Sequence, residues 1–570
     1  MRVDEFLDLH SQITAGDLQM PPAWTLTGYH YRRYLKANPH LAMEAGHGED
    51  SADTVVGEAT PRRISRFGVR GRTHGTARVI SGAVEFQTTS NLGCGFNPNS
   101  VGAPAPVIGT PIGRHVTTGA DVACDGFAWF IENIIANPSA FVLGLPGLGK
   151  STLIRKLLIG HIAQGHISIV AGDIKAEYVG MTQAMGGQVI TLGHGVGSLN
   201  PLDVGALGRV IPLLEANAEH LAAIGKEDLI RRSKEQVHGR QVTLVAALVG
   251  LARAHNPGTG HGVADFESMI IAVALRELYE SVTVDWLNPP ILSDLIAQIE
   301  HGSENLRDKA RAATDEEWKQ RVDPLLLSLH SLLDGATGQI FGGQTSQPID
   351  VSSPAVCIDV SAIDRGDRAV KAAVMIACWS NAFGSIEASH VLADAGLDRQ
   401  RYFAVCLDEL WQTLAAAPGL VGQVDALTRL NRSTGTALYM ITHTFKDLQA
   451  VPTEEDRRTA MGFVERAGLV ICGGLPHSEL ELLSNQLPFT EAEAEMITSW
   501  SRGATPKRTR AQNDSGVAPG RGRFMIKASK DGSPGIPIQT MLFPTEIATR
   551  IHDTNTRFDD FHATKETLNV

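Results

Sequence analysis

The run Gly144-Leu-Pro-Gly-Leu-Gly149-Lys150-Ser151 has the spacing GxxxxGK[ST]. Glycines at 144, 147 and 149 let the backbone bend so that successive N–H groups converge. A helix opening at Lys150 would add the positive end of its dipole, and such a loop cradles polyphosphate. Lys150 would then reach the β- and γ-phosphates, Ser151 would ligate Mg²⁺, and Thr152 would meet the α-phosphate, with Pro146 and Leu148 completing the loop. The expected ligand is ATP with Mg²⁺. A second pair of reactive groups, Asp408-Glu409, follows the apolar run Tyr402-Phe-Ala-Val-Cys-Leu407. A buried strand there would deliver both carboxylates at its C-terminal end, where parallel sheets place their ligands. Asp408 would hold Mg²⁺ through its water shell, and Glu409 would polarise the water that attacks the γ-phosphate.

The elements that must position these groups are short apolar strands alternating with helical stretches from about residue 106 onward, the pattern of a parallel sheet with crossover helices. Strands are predicted at 140–144, 167–172, 188–192, 355–361, 402–407, 437–442 and 468–472, each a near-continuous apolar run of the kind expected when both faces of a sheet are covered. Residues 206–349 interrupt them with helical periodicity. One stripe, Trp318, Val322, Leu325, Leu326, Leu329, Leu332 and Leu333, forms a single apolar face, with Asp323-Pro324 able to restart a helix and Gly335 placed to end it. The expected organisation is a small β-leaning N-terminal region (1–105), a first core segment (106–205), an inserted helical subdomain (206–349), a second core segment (350–550) and a polar tail (551–570). Within the second segment, residues 504–523 read as an exposed Gly/Arg/Lys-rich loop, followed by a strand-like stretch at 536–543.

Composition narrows the classes. The 570 residues carry 50 Lys and Arg against 62 Asp and Glu, a net charge of −12, which does not suit a surface devoted throughout to nucleic acid. Two local basic stretches are the exceptions: Arg62, Arg63, Arg66, Arg70, Arg72 and Arg78, and the segment from Lys507 to Arg523. Any DNA contact would have to be made there. The six cysteines include no CxxC pair, so neither a zinc ribbon nor a disulfide framework is indicated, and a reducing cytoplasm is the expected compartment. The acidic start MRVDEFLDLH is unlike a signal peptide, and runs such as 242–252 are too short to span a bilayer. Gly193-His-Gly-Val-Gly-Ser198 fails as a dinucleotide fingerprint, because its sixth position is Ser.

Further segments carry a family resemblance. Asp173-Ile-Lys175-Ala-Glu177-Tyr178 resembles the D-x-K-x-E-Y element of conjugative ATPases, and Asn200-Pro201-Leu202-Asp203 their NPLD element. DELWQTL, followed by LTRLNRSTGTALYMITHTFKDL, resembles their DEAW segment and the later R-x-x-R-x-x-G…ITQ…D segment. The ordered set is similar to TraC-type ATPases of type IV secretion and conjugal transfer, within the FtsK/HerA group of RecA-like motors. The resemblance implies a RecA-like P-loop NTPase core interrupted by an α-helical insertion. It further implies a Mg²⁺-dependent ATPase that works as a hexamer with other secretion components at the membrane, powering pilus assembly or substrate transfer. Asp173 is implied as a nucleotide-site residue, His443 as the sensor at the position where the family usually has Gln, and Arg429 or Arg432 as an arginine finger acting in trans. A TraG-type coupling protein or a HerA-like DNA translocase shares most of these elements and remains the alternative.

Overall fold

The computed structural model describes residues 3–14, 25–37, 64–65, 68–69, 106–254, 262–281, 284–364, 366–428, 435–503, 518–528, 530 and 532–553, in two units, Met1–Asn97 and Pro98–Val570. In the first unit, helices Val3–Thr14 and Leu26–Ala37 bury Phe6, Tyr31 and Leu35 together, and His10 Nδ1 lies 2.9 Å from the Tyr31 hydroxyl. A two-residue antiparallel pair, β1 (Ile64–Ser65) with β2 (Gly68–Val69), follows. The region read as β-leaning thus contains two helices. The signal of the first is the spacing of Phe6, Leu9 and Ile13, a stripe that is short and weak in so small an element. The arginine cluster at 62–78 lies outside the described residues.

The second unit is built on an 11-stranded sheet among the described residues. Its strands are β3 (Pro111–His115), β4 (Asp121–Ala123), β5 (Ser139–Leu143), β6 (Ile167–Asp173), β7 (Gln188–Thr191), β8 (Ala355–Asp359), β9 (Phe403–Leu407), β10 (Thr436–Ile441), β11 (Leu469–Cys472), β12 (Arg523–Lys527) and β13 (Ile536–Thr540). They lie in the order β4-β3-β13-β12-β11-β5-β10-β9-β6-β8-β7. From β11 to β7 every pairing is parallel, and these are the seven strands expected from apolar runs. The antiparallel extension through β12, β13, β3 and β4 includes three strands the sequence reading lacks. Residues 523–527, partly read as loop, form β12.

Alternation across the parallel strands divides the interior into two layers. Phe141 and Leu143 of β5, Val405 and Leu407 of β9, and Leu438 and Met440 of β10 face one core, while Ala140, Val142, Ala404, Cys406 and Tyr439 face the other. Between β7 and β8 the described chain is helical, from Ala206–Ala216 through the long Asp228–Ala254 to Gly338–Phe341. Helix Asp315–Asp334 buries Trp318, Val322, Leu325, Leu329 and Leu332 as their spacing predicts. It runs unbroken through Pro324, however, and begins in a capping box of Thr314 and Glu317. Pro324 sacrifices one backbone hydrogen bond there instead of opening a new helix. Helix Arg368–Asp394 is long and apolar enough to cross a membrane, but 94% of its apolar window is buried in the protein core.

One buried polar cluster under the P-loop helix makes stability depend on pH. His161 Nε2 lies 2.6 Å from the Tyr439 hydroxyl and Nδ1 3.1 Å from His166 Nδ1, with Asp125 close by. Burial pushes the His161 imidazolium pKa down to about 4, from the ordinary 6.5 that it regains on unfolding. The unfolded chain therefore binds a proton that the folded chain refuses, so stability is complete above pH 6.5 and falls toward pH 4. The expected loss is about 2 kcal/mol between pH 6.5 and 5. Denaturant unfolding of wild type and His161→Gln at both pH values checks this: the variant should show a decline shallower by that amount, and parallel declines would refute it.

Candidate active site

β5 runs between β10 and β11 and feeds directly into the loop Gly144–Gly149 and the helix Lys150–Ala163. Neighbouring strand ends hold the loop in place: Gly144 N–H donates to His443 O at 3.1 Å, Leu145 N–H to Gly474 O at 3.1 Å, and Gly522 N–H to Leu148 O at 2.9 Å. Gly147 (φ +78°) and Gly149 (φ +96°) take left-handed conformations that any larger residue would adopt only under strain. The loop opens onto a cleft of about 610 Å³, within the range of small-molecule sites, lined by Pro146, Gly147, Gly149, Lys150, Ser151 and Thr152. Across it stand Asp408 and Glu409 from the end of β9, with His443 from the end of β10.

The groups on the two sides are tied together. Lys150 Nζ donates to Gly144 O, to Leu145 O at 3.3 Å and to His443 Nδ1 at 3.0 Å. An ammonium can only donate, so His443 Nδ1 accepts and Nε2 carries the hydrogen that faces Glu409 Oε1 at 3.1 Å. Lys175 Nζ also bonds Glu409 Oε1, while Trp411 Nε1 donates to Oε2 at 2.7 Å. His443, which stands where the resemblance implies Gln, therefore joins the phosphate-loop lysine to the second acid. Glu409 sits at φ +50°, a left-handed backbone costly for a non-glycine residue and of a kind that concentrates at functional sites.

Electrostatics set the two acids apart. Burial, reinforced by the Glu409 and Glu177 charges, pushes the Asp408 carboxyl up to about 6. Burial would also raise Glu409, but hydrogen bonds from His443 and Lys175 outweigh it and hold that carboxyl well below its ordinary range. Lys150 is pushed down to about 8 by burial, against the pull of Glu409 and Asp408. Asp408 accepts from the Tyr178 hydroxyl at 3.1 Å, which fixes it beside Glu409.

Asp173 does not line the cleft. Its carboxylate accepts the backbone N–H groups of Lys175 (3.2 Å), Glu177 (3.1 Å) and Tyr178 (2.7 Å), clamping the turn that carries Lys175 and Glu177 into the cleft. In this structure its carboxylate holds that turn in place. Gly144 and Leu148 support the loop from behind through the carbonyl contacts above. Arg429 and Arg432 lie outside the described residues. On the C-terminal side of the cleft, the lining residues Arg521, Arg550, His552 and Asp553 escaped the sequence reading. Arg521 lay in the stretch read as loop, and the others in or beside a polar tail with no periodicity to mark them.

The lining fits a magnesium nucleotide. Left-handed glycines supply the cradle, and Glu177 Oε2 is a buried acceptor without a partner among the described residues. Among the described residues no group of three or more metal-ligating His, Cys, Asp or Glu side chains occurs. Mg²⁺ is usually held through one or two protein oxygens while phosphates and water supply the rest. Ser151 and Asp408 are the residues that would hold it.

No protein-family model and no curated protein matches the sequence. Solved structures do. The structure of VirB4 of Thermoanaerobacter pseudethanolicus aligns with a TM-score of 0.53 at 18% identity, over 79% of this chain and 99% of that one. The plasmid coupling protein TrwB in complex with the non-hydrolysable GTP analogue GDPNP aligns over 77% of this chain and 95% of that one, at 12% identity and a TM-score of 0.41. The second score falls short of a common fold. The first extends over nearly all of VirB4, and the chain has the fold of that protein: a RecA-like P-loop core, mainly parallel, with helical insertions.

Proposed function

We propose that the protein is a Mg²⁺-dependent ATPase that powers a conjugative or type IV secretion apparatus, driving pilus assembly or substrate transfer. One observation carries the enzymatic part: Lys150 and Ser151 of the phosphate loop face Asp408 and Glu409 across a single cleft, with His443 bonded to both Lys150 and Glu409. When bound, Mg²⁺ would supply Lewis-acid stabilisation of phosphate charge, with Ser151 and Asp408 as its protein ligands. Lys150 would bind phosphate oxygens. Three donors hold Glu409 ionised and aimed into the cleft, so that it accepts a hydrogen bond from the attacking water and orients it. Tyr178 keeps Asp408 in place, and His443 couples the position of Lys150 to that of Glu409.

The motor reading rests on the TraC-like order of motifs and on the likeness to the VirB4 fold. We place the protein in the cytoplasm, at the inner face of the membrane beside other secretion components, working as a homo-hexamer. Phosphate release by the purified chain, with and without single- and double-stranded DNA, together with its mass in solution, tests this. Hydrolysis abolished by chelator, indifferent to DNA and accompanied by a hexameric mass is the expected result. Strong DNA stimulation that fades with salt would instead identify a DNA pump, and a monomer with full activity would refute the oligomeric motor.

A further inference from the structure

The cleft has a wall that phosphate chemistry does not use. Arg155, one turn along the helix from Ser151 and 1% exposed, donates to Glu177 O (2.9 Å), Ile551 O (3.0 Å) and His552 O (3.1 Å). Lys156 Nζ bonds Glu546 Oε2 at 2.9 Å, both groups buried, and lies 4.1 Å from the Phe543 ring centroid. His552 Nε2 sits 3.2 Å from Glu546 Oε1. Two buried cations of the P-loop helix thus anchor residues 543–553 alongside it, at a turn removed from the end where Glu409 and His443 meet Lys150. An anchor of this kind is costly to break, because removing either partner strands a buried charge.

What the anchor holds in the cleft is a tight turn. Arg550 N–H donates to Ile547 O at 3.1 Å and Asp553 N–H to Arg550 O at 3.0 Å, with Arg550 in the left-handed region at φ +52°. Arg550 Nε pairs with Asp553 Oδ2 at 2.6 Å, and both side chains line the cleft. They are 64% and 44% exposed, so the ion pair contributes little to stability.

We propose that Arg550 and Asp553 form the nucleoside subsite of the cleft, a reading that rests on the nucleotide-binding function above. The Arg550 guanidinium offers a planar cationic face on which a purine ring stacks, and the Asp553 carboxylate accepts hydrogen bonds from ribose hydroxyls. The phosphate loop then grips the polyphosphate while the C-terminal segment of the same chain distinguishes a nucleotide from bare phosphate.

Equilibrium binding of ADP and of inorganic pyrophosphate to the full chain tests the subsite, in wild type and in Arg550→Ala/Asp553→Ala. Wild type is expected to prefer ADP by at least about tenfold, and the double variant to lose that preference while keeping pyrophosphate affinity within about twofold. Unchanged ADP binding in the variant overturns the subsite alone. Wild type that binds neither probe overturns the nucleotide reading and the subsite with it. If the double variant weakens both probes together, Arg550→Gln decides: a selective loss of ADP supports the proposal, and an unchanged ratio of the two affinities overturns it.

Discussion

Glu409→Gln is expected to bind ATP within about twofold of wild type and to hydrolyse it roughly 100- to 10,000-fold more slowly, the span associated with loss of a positioned general base. The substitution preserves shape and removes one negative charge. In the native site that charge receives hydrogen bonds from Lys175, His443 and Trp411, which leave the carboxylate ionised and fixed in direction. An amide in its place presents an NH₂ group to at least one of these donors, so the side chain loses both its orientation and its attraction for water. Binding survives because the phosphate contacts come from the loop, on the other side of the cleft. A nucleotide-binding titration beside a phosphate-release assay checks both halves. Equal turnover by variant and wild type would remove Glu409 from the reaction, and lost binding would assign it to the nucleotide itself.

Lys150→Ala is expected to lower turnover by roughly 100- to 1,000-fold and to weaken nucleotide binding as well, because its ammonium serves bound phosphate and developing charge together. The buried Lys150 nitrogen is held by Gly144 O, Leu145 O and His443 Nδ1, so deletion also frees His443 from one of its two anchors. Glu409 keeps Lys175 and Trp411 and should stay in place. The fold is therefore expected to survive, which circular dichroism and an unchanged elution volume would verify. The contrast between the variants is diagnostic: one separates binding from turnover, and the other damages both.

Much of this site was legible in the residues. The strand before Gly144 and the strand before Asp408 announce themselves as apolar runs, because both faces of a parallel sheet are covered, and the loop between Gly144 and Ser151 needs glycines at fixed offsets. The strands β3, β4 and β12 were less visible for a related reason. They lie in the antiparallel extension; β3 and β4 carry polar residues such as Arg114 and Asp121 and no apolar run, while in β12 the run Phe524-Met525-Ile526 is cut short by Arg523 and Lys527. Pro324 misled in the opposite direction, since the packing of Trp318 to Leu332 outweighs a proline's preference for the first turn. The C-terminal wall could not be read at all. Arg155 looks like an ordinary helix residue, and the partners that tie it to the C-terminal wall are backbone carbonyls nearly 400 positions away, which leave no trace in side-chain pattern. Asp173, which the resemblance implies as a nucleotide-site residue, spends its carboxylate on the backbone of the turn that carries Lys175 and Glu177, a contact no side-chain pattern announces.

The central claim is that Lys150 and Ser151 with Asp408 and Glu409 make one hydrolytic site. The most direct test is steady-state release of phosphate from Mg²⁺-ATP by the full chain, run beside Glu409→Gln from the same preparation procedure. The account predicts phosphate release by wild type that stops on chelation and is reduced by at least about 100-fold in the variant. Wild type that binds ATP without releasing phosphate, or a variant that releases it as fast as wild type, would contradict it.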